Sequence, residues 1–415
     1  MSLAEGVAAR VTYKAYASAA ISSTSEPVPA TDPAATGGQI LRRVSSTLSL
    51  GKDTYQSAEI RSDRQIADFR HGVKRVSGSV SGELSPGTYK DLIEAAMRGT
   101  WAAPIAKSNT ELTSAAADNA TSKFTFGGGD PVTEGFRTGM ILRFTNLSEA
   151  TNNSKNFLIT GFGGASNREV SVYPAPTTMS ADTAFNVTST GKSLSIPTSS
   201  HVSRKFFFEH YFADLDIARY FTECRIGGFS LNLPPTGMAT IDIPVLGRNA
   251  AIVMGGSAPF FTAPTAATTT GVLAAVNGLL RVGGSTVAVI TGLQMGLNLN
   301  PSADPVVGSN LLPEIFLARA NITGTMTAFF EDSTLLGYFD NETEVDLLAF
   351  MTTSSANAAD AMSFYLPRIK VGGGDLPLQG EGGQSISMPF QALLDPGTTA
   401  GKVNTTLFIN DTQVT

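Results

Sequence analysis

The stretch Val76–Gly99 constrains the fold of this chain more than any other, because it carries a strand, a turn and a helix signal in succession. Apolar or small residues occupy every second position in its first part, which is the period of a half-buried strand. The period then becomes that of an amphipathic helix, for which Ser85 is a suitable N-cap, Pro86 a suitable first residue and Gly99 a suitable C′ residue. We therefore predict a strand that leads directly into a short helix.

The same pattern recurs later in the chain. Ile322–Phe330 repeats the alternation, and a shorter apolar helix stripe follows it. A second pair of segments also matches, since Arg225–Pro234 resembles Arg368–Pro377. The two segments of this second pair lie fewer residues apart than those of the first pair. The difference is about the length of the segment from Trp101 to about Ser200. We therefore predict a duplicated domain with a guest domain inserted into its first copy.

These repeats divide the chain into five parts. A length of 415 residues agrees with two to three domains. The predicted fold class is mainly β, with two tandem β-sandwich domains that each carry a short α-helix and a long β-hairpin, plus a small inserted β-barrel or sandwich domain. The parts are an N-terminal arm (1–38), a discontinuous first domain (39–100 and 201–250), the inserted domain (101–200), a linker (251–280) and the second domain (281–415).

The charge content limits the kinds of partner. Charged residues make up 15% of the chain, whereas about 25% is usual for soluble domains, and this suits a subunit that buries much of its surface in an assembly. The net charge of −6 argues against a tight grip on nucleic acid, which needs clustered Lys and Arg. Cys224 is the single cysteine, and we expect a buried thiol there. We also expect no secretory signal and no membrane helix.

Candidate catalytic residues are few. His71, His201 and His210 are the only histidines, and none accompanies a nucleophile motif, a metal-binding motif or a phosphate-binding motif. The glycine runs at 127–129 and 372–374 are interpreted as turns rather than as phosphate or calcium loops. We therefore predict no enzymatic activity, no metal and no cofactor. A hydrolase on a β-scaffold is the weakest alternative.

A polar segment, Gly51–Gln65, separates two predicted long strands, Gln39–Leu50 and Ala67–Leu84. Such a hairpin is longer than a compact core requires, so we predict that its tip contacts another subunit or another ring. A solvated loop is the alternative. The residues predicted to make these contacts are Lys52, Asp53, Tyr55, Glu59, Arg61, Asp63 and Arg64.

The chain resembles the tail tube (major tail) proteins of phages with long, non-contractile tails. Four segments carry this resemblance: ARVTYKAY near the start, the strand into GELSPGTYKDLIEAAMRG, the run FTECRIGGFSLNLPPTGMATIDIPVLGR, and GFRTGMILRF in the insert. The resemblance implies β-sandwiches with one helix whose long hairpins close side by side into rings. The rings stack into a hollow tube through which DNA passes. A doubled tube domain implies three chains in a ring of six tube domains, and the internal repeat indicates this case.

The resemblance also implies the partners and the location. These are other copies of the chain, a tape measure protein and passing DNA in the lumen without tight nucleic-acid binding, in a virion tail that assembles in the host cytoplasm without a membrane. The strand pattern predicts that one polar face lines the lumen, and this register would be wrong if Glu83 lay in the sandwich core. The predicted lumen residues are Ser77, Ser79, Ser81 and Glu83 in the first copy and Thr323, Thr325 and Thr327 in the second.

Two other functions are compatible with a β-rich assembly protein. One is a receptor- or carbohydrate-binding tail fibre or adhesin, with the inserted domain as the binding head. An exposed aromatic patch would favour this alternative, but the only tryptophan, Trp101, lies at the domain junction. The other is a sheath-like injection or secretion tube, which shares most of the predicted features.

Overall fold

The computed structural model describes residues 3, 5–18, 29, 32–286, 290–374 and 382–415. The predicted fold class is confirmed, because the chain is mainly β with large antiparallel sheets. The part that precedes the insert contains strands β1 (Ala9–Ala15), β2 (Gln39–Ile40), β3 (Ser45–Ser46), β4 (Ser49–Gln56) and β5 (Phe69–Glu83), followed by helix α1 (Lys90–Met97).

The next two parts are the insert and the return to the first half. The insert contains β6 (Ala106–Ser108), α2 (Asn109–Leu112), β7 (Ala115–Asp118), β8 (Lys123–Phe126), β9 (Ile141–Thr145), β10 (Asn156–Gly163), β11 (Glu169–Tyr173), β12 (Met179–Asp182) and β13 (Asn186–Ser189). After it come β14 (Lys192–Ser195), β15 (Phe206–Phe212), β16 (Ile217–Ile226), β17 (Gly228–Leu233), β18 (Thr240–Gly247) and β19 (Asn249–Met254).

The remaining elements form the second half of the chain. They are β20 (Gly278–Val282), β21 (Ser285–Thr286), β22 (Ile290–Asn298), β23 (Asn321–Phe329), α3 (Thr334–Asp340), β24 (Glu344–Thr352), β25 (Ala361–Val371), β26 (Ser385–Ala392) and β27 (Phe408–Asp411). We call β1–β5, α1 and β15–β19 the first half, β20–β27 with α3 the second half, and β6–β13 with α2 the insert.

The strand order of the first half recurs in the second half. An outer sheet has the order β1-β15-β16-β19 in the first half and β20-β24-β25-β27 in the second. An inner sheet contains β4-β5-β18 in the first half and β22-β23-β26 in the second. Helix α1 follows β5 as α3 follows β23, and the insert lies between α1 and β15. This repeated order supports the proposal of a duplicated domain with a guest in its first copy.

The hydrogen-bond register aligns the two copies residue by residue. Val80 pairs with Ile243, and Met326 pairs with Met388. Ile243 and Met388 occupy equivalent positions in the sequence repeat, so the residues opposite them, Val80 and Met326, are also equivalent. Strand β5 therefore aligns with β23 in the register that the sequence repeat predicts. The lumen residues predicted for the two copies are therefore true counterparts of one another.

The predicted match of Arg225 with Arg368 is two residues out of register. Arg225 pairs with Leu246 of β18, and the residue opposite the equivalent position of β26, Gln391, is Lys370. An Arg-Ile dipeptide occurs in both segments, and matching the two dipeptides gives an alignment that is two residues out of register.

Helix α1 begins later than predicted. Ser85 and Pro86 form a turn before the helix, which runs over Lys90–Met97. The cause is Gly87, which has φ of +74° and donates its backbone N–H to Oδ2 of Asp411 at 2.8 Å. A residue with positive φ interrupts a right-handed helix.

The two helices differ in burial. Helix α1 ends at Arg98, which adopts the left-handed conformation that was predicted for Gly99. Its apolar stripe lies in the core and consists of Leu92, Ile93, Ala95, Ala96 and Met97. Helix α3, its counterpart, has no buried residue. The apolar residues Leu335, Leu336 and Tyr338 of α3 pack on the main core but are only half-buried, so this helix is less covered than α1.

The insert is a separate eight-stranded antiparallel sheet with the order β12-β7-β8-β11-β10-β9-β13-β6. Its core contains packed aromatic rings, since the Phe124 ring lies 4.3 Å from that of Phe144 in a tilted arrangement and 5.0 Å from that of Phe157 in an edge-to-face arrangement. The same apolar cluster includes Phe350 and Phe408 of the second half. Although the insert interrupts the first half in sequence, it packs on the second.

A buried ion-pair cluster lies where β16 passes from the outer to the inner sheet. Glu223 has φ of +51° in an irregular part of β16 and receives hydrogen bonds from Nζ of Lys205 at 3.0 Å and from Nη1 of Arg248 at 2.8 Å. All three side chains are at most 6% exposed. The Arg248 Nε also donates to the backbone carbonyl of Leu312 in the second half. Through the contact of Arg248 with Leu312, this cluster links the two halves.

Candidate assembly surfaces

The inner sheet has one apolar and one polar face. In β5 the side chains of Val76 and Val80 are fully buried, whereas Ser77 and Glu83 are exposed, and Ser79 and Ser81 are half-buried. Glu83 therefore lies outside the sandwich core, as the predicted register requires. The four residues predicted to line a lumen share the face opposite the core.

Strand β23 has the same pattern. Ile322 and Met326 are fully buried, Thr323 is exposed, and Thr325 and Thr327 are half-buried. The three threonines thus share the polar face with the serines of β5. Neighbouring strands extend this face with Thr240, Asp242, Ser230, Asn232, Gln294, Ser387 and Gln391.

The central strands of the polar face carry only negative charge. From Val76 to the end of β5, and in β17, β18, β22, β23 and β26, the sequence contains no lysine or arginine. The acids on this face are Glu83 and Asp242, and Asp242 accepts a hydrogen bond from Oγ of Ser81 at 2.5 Å. A surface of hydroxyls, amides and a few carboxylates offers no cation to a phosphate backbone.

The inner sheets of the two halves form one continuous sheet. Strand β17 of the first half pairs with β22 of the second from Gly228↔Asn298 to Leu233↔Leu293. Gly228 has φ of +142°, and a Cβ added there would overlap the carbonyl oxygen of Leu297, so only glycine allows this close approach. The polar face is concave at this junction and bounds an open groove of about 750 Å³.

One edge of the continuous sheet has no strand partner among the described residues. Among the described residues, β3 and β4 pair only with β5, so their outer edge has no strand partner. At the other end, β26 pairs with β23 and, through Phe390–Ala392, with β25. The residues that correspond in register to β17 are 373–378, of which 375–378 lie outside the described part of the chain. An unpaired strand edge is a template for another chain.

The predicted contact residues all lie on the β4–β5 hairpin. This hairpin is a β-ladder as far as Gln56↔Phe69, and its tip, residues 57–68, is irregular and almost entirely exposed. Its ions pair with one another, since Arg61 contacts Asp63 at 3.0 Å and Glu59 at 4.0 Å. The hydrogen bond from Arg61 lowers the pKa of the Asp63 carboxyl.

Lower on the same hairpin, Arg75 bridges to Asp53 at 2.9 Å, and Tyr55 is exposed. Within the described residues, Lys52 and Arg64 have no ion-pair partner. Most of the charged side chains predicted to contact a partner subunit thus pair with one another within the hairpin. Lys52 and Arg64 are the predicted contact residues whose positive charge has no ion-pair partner among the described residues.

Sequence reasoning missed the apolar residues of the tip. Ile60 is 100% exposed, and Ile66 and Phe69 are also exposed. Single apolar residues on a protein surface are common, so the sequence of this charged loop gave no signal that Ile60 and Ile66 mark a contact surface. Phe329 and Phe330 at the end of β23 and Phe339 of α3 are also exposed.

The histidines and the cysteine form no reactive constellation. His210 is mostly buried and shares a hydrogen bond with Oγ of Ser46 at 3.0 Å. Burial, reinforced by nearby Arg43 and Arg219, lowers its pKa to about 4. Burial raises the pKa of the Cys224 thiol, which keeps it a protonated apolar side chain.

The described residues include no cluster of three His, Cys, Asp or Glu side chains arranged to hold a metal ion. Within that same part of the chain, none of the helices is long and apolar enough to cross a membrane. The insert's one exposed large hydrophobic side chain among these residues is Tyr173, so an exposed aromatic patch that would mark a glycan-binding head is not found there.

Comparison with known proteins adds one match. A family model described as phage tail tube protein matches residues 7–392, which span both halves and the insert. No curated protein matches the chain.

Proposed function

Because the chain belongs to the phage tail tube protein family, we propose that it forms stacked rings that build the tube for DNA delivery in a long, non-contractile tail. Three copies close each ring, and each copy contributes two tube domains. The polar face of the inner sheet lines the lumen, and a tape measure protein and then DNA occupy it. The chain assembles in the host cytoplasm and acts as a structural part of the virion tail, without a catalytic step.

The observation that carries this proposal is the β17–β22 junction. It joins two equivalent halves edge to edge inside one chain, through buried Phe229, Leu231, Leu293 and Met295. In the repeat, β22 corresponds to β3 and β4. A rotation that superposes the first half on the second brings the next copy's first half beside the second half. In that position, the edge of the second half that is equivalent to β17 lies against β3 and β4 of the next copy. Repeated head-to-tail contacts of this kind close into a ring.

The number of chains per ring comes from the family resemblance combined with the duplication. Rings of six tube domains and two such domains per chain give three chains. The charge pattern supports the lumen assignment, because a face with only Glu83 and Asp242 as charges repels phosphate and lets DNA slide.

Hydrogen exchange tests the edge-to-edge closure without any substitution. The full-length chain is compared by mass spectrometry in its dispersed and assembled states. We expect the peptide that covers β3 and β4 to exchange fast when dispersed and slowly when assembled, because its outer amides gain partners. Strand β22, which already has two neighbours, serves as the control and stays protected in both states. Tubes that form without added protection at β3 and β4 would rule out this mode of closure.

A further inference from the structure

Strands β19 and β27 occupy equivalent positions at the end of the outer sheet in each half. The register that aligns β16 with β25 matches Arg219 with Phe364. Ile252 of β19 lies opposite Arg219, and Ile409 of β27 lies opposite Phe364. Ile252 and Ile409 are therefore counterparts, and any difference in their surroundings reflects what each half has as a neighbour.

The outer edge of β27 is covered, whereas that of β19 is open. Strand β14, which follows the insert, pairs with β27 and places Leu194 directly beside Ile409. Both of these side chains are buried in the main core. Among the described residues, β19 pairs with β16 alone, and Ile252 is 68% exposed. The first half of the chain therefore has an unpaired strand edge where the second half has a paired one.

The turn before α1 also covers β27. As described above, Gly87 in this turn donates its backbone N–H to Asp411 of β27. Asp411 is 2% exposed, whereas its counterpart in β19, Met254, is 66% exposed. The alignment of β5 with β23 makes Ser333 the counterpart of Gly87, and Ser333 is exposed at the start of α3. The contact that one half makes with β27 thus has its two equivalent members open to solvent.

Both of these open surfaces are apolar. Ile252 and Met254 lie on the same face of β19, because they are two residues apart in a strand. Near the start of α3, Phe330 and Phe339 are each 40% exposed. An unpaired strand edge with exposed large apolar side chains is typical of a surface that another chain covers.

We infer that β19 of each copy is covered by the second half of the neighbouring copy in the same ring, with the turn before α3 lying against Met254. This inference rests on the proposed function, because the rotation that relates the two halves must also relate the second half to the next copy. The contact between chains then repeats the Gly87–Asp411 contact as one between Ser333 and Met254.

The contact between chains differs from the contact within a chain in one respect. Only three residues, 341–343, separate α3 from β24, so the second half has no equivalent of β14. The large apolar side chains at the start of α3 therefore take the place of a strand beside Ile252. The ring has paired strands in its outer layer at the three contacts within chains, and apolar side chains alone at the three contacts between chains.

Disulfide trapping in assembled full-length protein tests this contact. The test pair is Met254→Cys with Ser333→Cys, because the equivalent atoms within one chain, the Gly87 nitrogen and Oδ2 of Asp411, lie 2.8 Å apart. The native Cys224 is buried, so the introduced cysteines are the reactive ones. Met254→Cys with Val276→Cys is the control pair, since Val276 is 81% exposed and precedes β20 at the end that lies away from α3.

We expect the oxidised test pair to give covalent products that stop at the number of chains in one ring, which is three in the proposed assembly. The control pair should give little cross-linking. A ladder of longer products would place the contact between rings and overturn the inference. Rings that form but do not cross-link would also overturn it, whereas failure of the unsubstituted chain to form rings would contradict the proposed function itself.

A substitution without cysteine gives an independent test. Because Ile252 is exposed in the single chain, Ile252→Asp should leave the thermal midpoint of the dispersed protein unchanged. It should raise the protein concentration needed for ring formation at least about tenfold, since the contact between chains loses a buried isoleucine. Val276→Asp is the control with matched exposure. Ring formation by Ile252→Asp at the same concentration as by Val276→Asp would overturn the inference.

Discussion

At the scale of single residues, Glu223 stands out because it neutralises two buried cations at once. Lys205 and Arg248 each contact one of its carboxylate oxygens in a part of the chain that water does not reach. Removing water from three charges is costly, and only close pairing offsets this cost. The Glu223 carboxylate is therefore needed as long as Lys205 and Arg248 are both present.

Replacement of Glu223 by Gln should destabilise the folded chain by about 3–5 kcal/mol, because it leaves buried positive charge uncompensated. The measurement is the midpoint of denaturant unfolding of the dispersed protein. Glu342→Gln is the matched control, since it removes an acid paired with Lys370 at 2.8 Å on the surface and should change the midpoint little. Equal midpoints for the two variants would show that the cluster does not hold the sheets together.

The alternation of small polar and apolar residues was enough to predict the side of the sheet on which Ser77 and Thr323 lie, because a strand places successive side chains on opposite faces. The Lys205–Glu223–Arg248 cluster could not be predicted. Its members are distant in sequence, and they meet only because β16 changes sheets beside β18. That the polar face lines a lumen stays a prediction, because a lumen exists only in an assembled ring.

At the scale of elements, the β17–β22 junction depends on close backbone approach. Gly228 combines a left-handed backbone, φ +142°, with a position directly against the carbonyl of Leu297. A side chain there would separate the two strands that join the halves. We therefore expect the junction to be sensitive even to the replacement of Gly228 by alanine.

Gly228→Ala should cost at least about 2–3 kcal/mol from backbone strain alone, and it should lower the thermal midpoint and weaken ring formation. Gly161→Ala in β10 of the insert is the control, since a Cβ there meets nothing within 4 Å. The two variants are compared by thermal unfolding and by size-exclusion chromatography of assembled material. A Gly228→Ala protein as stable as the Gly161→Ala protein would contradict the proposed role of the junction.

The sequence predicts the main elements because their periods are strong. The strand into α1 was recognised from its alternation and its helix stripe. The helix start was missed because Gly87 is held by Asp411 of β27, a contact across nearly the whole chain. The predicted match of Arg225 with Arg368 instead of Lys370 has a similar cause, since pairing with β18 and β26, rather than local resemblance, sets the register.

At the scale of the whole molecule, the two halves have the same strand order but different surfaces. The first half projects a hairpin and buries its helix, whereas the second folds its loop back and leaves α3 half-buried. In the proposed ring, three such chains place six similar inner sheets around one lumen, and surfaces outside the contacts within the ring that differ between the halves remain available for contacts between rings.

The central claim is that three copies close their inner sheets into one ring with the polar face inward. Cryo-electron microscopy of assembled full-length protein tests it most directly, because it counts chains and shows which face is inside. We expect three chains per ring, six inner sheets joined edge to edge, and Ser77 and Thr323 facing the lumen. Rings of six chains, or a polar face on the outer wall of the tube, would contradict it.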